Sequence, residues 1–156
     1  MNTIALRPPA SLPLPKLPSW REIKALIEGA LLAVTHTATV RTGIADYVCG
    51  LINAGTPPGH IVMATTGDVT VATLTCASAA FGGASSGVST AAAIVADTSA
   101  VGGTIAKAIF KNAAGTEVFR CSVTATGGGG DIEMNSVVIS AGQTVSISSL
   151  TYTAPA

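Results

Sequence analysis

The stretch TIAKAIFKNAAGTEVFRCSVT, residues 104–124, reads as two strands around a turn. Its residues alternate with a period of two, the spacing of a strand with one buried face. On that reading Ile105 and Ile109 share a face, and Val118 points away from Phe119. Asn112-Ala113-Ala114-Gly115 supplies the turn chemistry between the runs. No helical segment separates them, which excludes a parallel sheet with crossover helices. The same cadence extends both ways. Strands are expected over residues 60–65, 68–76, 91–96, 104–111, 117–124, 131–139 and 144–153. Val69 and Val71 fall on one face, and a slip in phase near Ser148-Ser149 suggests a bulge. Short strands with a turn every 8–12 residues or so are the pattern of a sandwich or barrel. The expectation for residues 56–156 is a mainly β, antiparallel β-sandwich or jelly-roll-like domain.

Upstream the pattern changes twice. Residues 19–55 read as one or two helices. Ser19 and Glu22 match a capping box, in which each side chain bonds the other's backbone N–H. Ile23, Leu26, Ile27, Ala30, Leu31 and Val34 follow at the spacing of one helical face. The β-branched segment Thr35 to Thr39 is expected to break this helix. A second helix carries Ile44, Tyr47, Val48, Leu51 and Ile52 on one stripe, stopped by Gly55 and Pro57-Pro58. The stripes either bury each other and the sheet, or one of them packs on a partner. Residues 1–18 hold Pro8, Pro9, Pro13, Pro15 and Pro18. Alternating Leu and Pro favours extended polyproline conformation, which makes no internal backbone hydrogen bonds. The arm is either a loose tail or a strap lying on a neighbouring subunit. Its anchors in the second case are Leu12, Leu14 and Leu17.

Composition narrows the classes of function. The chain has 156 residues, of which only 10% are charged and 4% aromatic. Its mean hydropathy is +0.56, against disorder. Eight basic residues balance eight acidic ones, so the cationic surplus that nucleic-acid binding needs is missing. Residues 1–60 carry five basic and three acidic side chains; the remainder carries three and five. The run Ile23 to Val34 is too short and too charged to span a bilayer, and the N-terminus lacks the unbroken apolar core of a signal peptide. A surface so poor in charge invites association.

No catalytic constellation emerges. Cys49, Cys76 and Cys121 have no CxxC spacing and read as small buried thiols rather than a disulfide framework. His36 and His60 have no ligand spacing with them, and nothing orients His60 as a base for Cys49. Asp131 and Glu133 are the one close carboxylate pair, read as a solvated strand face. Gly127 to Gly130 lacks the Gly-Lys-Ser/Thr and helix of a phosphate loop and reads as a flexible hairpin turn. No metal, no cofactor and no enzymatic activity are expected.

A helix over Arg41 to Gly55 is followed by a strand ending Ala72-Thr73-Leu74-Thr75, and by Ala80-Phe81-Gly82 with Gly87-Val88. The pattern continues through Gly103 to Phe110 and Gly115-Thr116-Glu117-Val118, and its most specific part runs from Gly129 to Ile147. In this cadence residues 41–154 resemble small virion proteins of tailed bacteriophages. The resemblance implies a structural virion component made in the host cytoplasm, and it brings no catalytic residues. The resulting expectation is a capsid decoration or cementing protein. Its partners are other copies of itself and other virion proteins, not nucleic acid or membrane. Leu12, Leu14, Leu17, Trp20, Ile23, Leu26, Ile27 and Leu31 are the expected docking residues. The alternatives are a neck, tail or baseplate subunit, or a carbohydrate- or receptor-binding module of a tail fibre. For the last, Trp20, Tyr47 and Tyr152 are the stacking candidates.

Overall fold

A computed structural model describes residues 34–56 and 58–156. The arm and the first expected helix lie outside them, as do all eight expected docking residues, Leu12, Leu14, Leu17, Trp20, Ile23, Leu26, Ile27 and Leu31. The chain divides into two units, residues 1–34 and 35–156, and every described helix and strand falls in the second.

The second unit is mainly β. One helix, α1 (Ala38–Asn53), precedes ten short strands. These are β1 (His60–Ala64), β2 (Thr70–Cys76), β3 (Val88–Thr90), β4 (Ile94–Val95), β5 (Gly103–Thr104), β6 (Lys107–Lys111), β7 (Glu117–Ala125), β8 (Ile132–Met134), β9 (Val138–Ile139) and β10 (Thr151–Thr153). A six-stranded sheet runs β4-β2-β1-β6-β7-β8, with two-stranded ribbons β10-β3 and β5-β9 beside it. The sandwich-like core fills from the inner face of this sheet. Ile61, Met63, Leu74, Ala108, Phe110 and Val123 are buried there with Cys49 and Ile52 of the helix. Leu150 and Tyr152 pack against the same cluster. Val62, Ala64 and Ile109 form a smaller buried cluster, displaced by one residue along β1 and β6 and so on the opposite face.

The hairpin expected over residues 104–124 is present as β6–β7, pairing Phe110 with Phe119 and Ile109 with Arg120. Its first strand is broken, however. Residues 103–104 pair with β9, residues 107–111 with β1 and β7, and the chain changes partners at Ile105-Ala106. Ile105 therefore joins the main cluster while Ile109 lies in the smaller one. Val69 and Val71 also part company: Val69 belongs to the β1–β2 turn and is exposed, while Val71 is fully buried. Residues 144–149 form no strand; Val145 makes a single bridge to Asp97.

Helix α1 starts inside the segment expected to break it. Thr37 is the N-cap and its hydroxyl accepts from the Val40 N–H at 3.4 Å, the role for which threonine is suited. Its phase differs from the expected one. The inward residues are Ala45, Cys49 and Ile52, and Tyr47 and Leu51 point outward. Polar side chains on the inward side explain the rotation. Thr42 accepts from the Gly87 N–H, Asp46 from the Ala84 N–H, and Asn53 bonds both backbone groups of Phe81. Arg41 donates from Nε and Nη2 to the Ala154 carbonyl. Gly87 has φ +83, and a Cβ there would sit 2.7 Å from that of Arg41, so only glycine lets the loop pass.

Candidate functional site

Four of the five aromatic residues among those described gather at one place. Phe81, Phe110, Phe119 and Tyr152 line a cleft of about 530 Å³, within the range of roughly 300–1,000 Å³ typical of ligand pockets. Each arrives by a different route. Phe110 and Phe119 face each other across the β6–β7 hairpin and stack, ring centroids 4.2 Å apart. Tyr152 comes from β10 and meets Phe119 at 5.3 Å, tilted by 47°. Phe81 is buried in a loop clamped by Asn53, which accepts from its N–H at 2.9 Å and donates to its carbonyl at 3.0 Å.

Arg120, Cys121, Asp131, Ile132, Leu150, Thr151 and Thr153 complete the lining. Their state is set by neighbours. The Arg120 guanidinium holds both oxygens of Glu117 at 2.6 Å and reaches Asp68 at 3.2 Å, which keeps it firmly protonated. Lys107 bonds Asp68 at 2.6 Å. These four charges neutralise one another and are exposed, so the network contributes little to stability. Asp131 accepts from the Ser122 N–H and hydroxyl, at 2.9 and 2.6 Å, and these bonds lower its pKa. Among the described residues it has no cationic partner. Burial, with the Asp131 charge beside it, pushes the Cys121 thiol up to about 11. A thiol held so strongly protonated is a poor nucleophile.

The loop behind Asp131 departs from the expected flexible hairpin. β7 and β8 run parallel, Val123 beside Ile132, although the link is far shorter than the dozen or so residues usual for a parallel crossover. The tetraglycine makes this possible. Gly128 and Gly130 approach Thr124 so closely that a Cβ on either would lie 2.7–2.8 Å from its side chain. Thr124 Oγ1 accepts from the Gly130 N–H, and the Glu133 carboxylate accepts from the N–H groups of Gly127 and Gly129. The loop is tied rather than loose. The Asp131/Glu133 pair is engaged in tying it.

Among the described residues no group of three or more His, Cys, Asp or Glu is placed to hold a metal. Cys49 is buried beside Ser89, and its pKa is raised mainly by burial. All three cysteines are free thiols. No helix among the described residues is long and apolar enough to cross a membrane.

Acid should reveal how these carboxylates act. His60 has its pKa lowered by burial and by Lys111. The unfolded chain then takes up the proton first, so stability starts to fall below about pH 6.5. Asp97, Asp131 and Glu133 have pKa values lowered by hydrogen bonds from backbone or hydroxyl groups. Their contribution is present above about pH 4 and disappears as pH drops through the folded-state values. Urea midpoints measured from pH 7 to pH 3 should show both steps. His60→Gln should remove the first and Asp97→Asn should shrink the second; an unchanged profile in both variants contradicts the assignment.

Of the sugar-stacking candidates, Trp20 lies outside the described residues, Tyr47 is exposed on α1, and Tyr152 lines the cleft. Sequence reasoning missed Phe81, Phe110 and Phe119. Counting outward from the Asn112–Gly115 turn brings Phe110 opposite Phe119 and was the available signal. No family model matches the chain, and no curated protein or solved structure was found to be similar to it.

Proposed function

We propose that this chain is a non-enzymatic structural subunit of a bacteriophage virion, best described as a capsid decoration or cementing protein. It docks on neighbouring copies and other virion proteins through its N-terminal arm and helical segment. The observation that carries the reading is the outer face of α1. Val40, Tyr47 and Leu51 are 47%, 70% and 39% exposed there, at the i, i+7, i+11 spacing of one stripe, with Ile44 between them. An apolar stripe turned to water, on the side away from the buried Ala45, Cys49 and Ile52, marks an interaction surface. Burying each such side chain contributes roughly 1.5–3 kcal/mol, multiplied over many copies in a shell. The low share of charged residues, 10% of the chain, fits the same role. Neck, tail and baseplate positions make the same demands.

The aromatic cleft favours a second reading, a carbohydrate- or receptor-binding module. Phe119 is already stacked on Phe110 and abutted by Tyr152, which leaves it little open ring for a sugar. Light scattering of the full chain across concentrations separates the two. The assembly reading expects concentration-dependent oligomers, weakened by Tyr47→Asp with Leu51→Asp. It also expects the chain in gradient-banded phage particles by mass spectrometry. A persistent monomer absent from particles overturns it, and saturable glycan binding by that monomer establishes the second reading.

A further inference from the structure

We propose that the aromatic cleft is the receptor for the proline-rich arm of a second copy, with residues 12–18 as the docked segment. The proposal rests on the assembly reading and names the site through which assembly proceeds.

The walls of the cleft are strands paired on one side only among the described residues. β8 covers β7 at residues 123–125 but not at Phe119, Arg120 or Cys121. β10 pairs only with β3. The cleft thus offers the half-buried side chains of Phe119, Ile132, Leu150 and Tyr152 above a floor formed by the buried rings of Phe81 and Phe110. Aromatic-lined grooves of this kind suit polyproline segments, which are already extended and lose little entropy on docking.

This chain carries such a segment. Leu12-Pro13-Leu14-Pro15-Lys16-Leu17-Pro18 includes Pro15 and Pro18 at the Pro-x-x-Pro spacing. At three residues per turn, Pro15 and Pro18 share one edge, Leu14 and Leu17 the next, and Lys16 the third. One ridge of Leu and Pro would therefore enter the cleft while Lys16 stays at its rim. The rim carries Asp131, ionised and without a cation among the described residues. The charges match more widely. Residues 1–18 hold Arg7 and Lys16 and no acid. The second unit holds four basic and six acidic side chains. Arm into cleft either propagates head to tail from copy to copy or closes as a pair in which two copies exchange arms.

Sedimentation of full-chain variants, alone and mixed, tests it. The arm variant is Leu14→Asp with Leu17→Asp. The cleft variant is Thr151→Arg, an exposed lining position where bulk and charge block entry without touching the core. Thr153→Arg replaces it if Thr151→Arg does not fold. Each variant alone should self-associate at least tenfold more weakly than the wild type. An equimolar mixture should recover a heterodimer, because it retains one intact arm and one intact cleft. If the arm variant dissociates while the cleft variant assembles normally, arms dock elsewhere: this proposal falls and the assembly reading stands. If the wild type itself never associates, both fall. A benzophenone at Leu17 that cross-links the cleft of its own chain also overturns docking on a second copy.

Discussion

Phe110→Ala should lower the unfolding free energy by about 3–5 kcal/mol, the range for removing a large buried aromatic ring. Phe110 is 1% exposed at the centre of the six-stranded sheet. Its ring supports Phe119 at 4.2 Å, and Phe119 in turn meets Tyr152. The substitution therefore empties a ring-sized space and unseats the stack above it. Loss of a few kcal/mol from a domain worth about 5–15 kcal/mol in total leaves a protein folded but marginal. Urea unfolding followed by circular dichroism measures this. A loss below about 1 kcal/mol, well under that range for a buried ring, means that the ring is not packed as described. The accompanying effect on arm docking should be at least as severe as that of Thr151→Arg, since the floor of the cleft goes with the ring.

Gly59→Ala is the second large effect. A Cβ at Gly59 would lie 2.6 Å from the Lys111 carbonyl oxygen and 2.8 Å from that of Ile52. Both neighbours are backbone, at the end of β6 and in the last turn of α1, and neither can swing aside. The Gly59 carbonyl also accepts from the Cys76 N–H at 3.0 Å, so the residue cannot retreat without losing that bond. Overpacking of this kind costs about 1–3 kcal/mol and occasionally more. Serine should cost at least as much and Gly43→Ala, in open space on the helix, should be neutral or mildly stabilising. Thermal unfolding of the three variants gives the order; equal midpoints for Gly59→Ala and wild type contradict the close approach.

The β character and the hairpin at residues 104–124 were legible because turn residues and alternation agree there. Three of the seven expected strands survive with little change in their bounds: β1, β2 and β7. The rest fragmented for an identifiable reason. Ile105-Ala106, and the run between Met134 and Val138, are places where the chain leaves one pairing partner for another, and alternation does not record which strand lies alongside. The helix was legible in its existence and misread in its phase. Hydrophobic periodicity follows the largest apolar residues, Tyr47 and Leu51, whereas this helix seats itself with Ala45, Cys49 and Ile52 and with loop N–H groups that donate to Thr42, Asp46 and Asn53. The tetraglycine was misread because flexibility was inferred from composition, when the lack of side chains serves a close approach to Thr124. The cleft was hidden because it joins Phe81, the hairpin and β10, which only the fold brings together.

The β3–β10 ribbon has a consequence in time. Residues 88–90 and the helix that packs on them leave the ribosome long before residues 151–153, yet Arg41 finds its carbonyl at Ala154 and Phe119 finds its neighbour at Tyr152. The second wall of the cleft is thus synthesised well after the arm and the helix. With arm into cleft as the joint, a chain still being made has an arm to lend before it has a cleft to receive one. A copy whose cleft is already formed can then receive the arm of a chain whose own cleft has yet to be made.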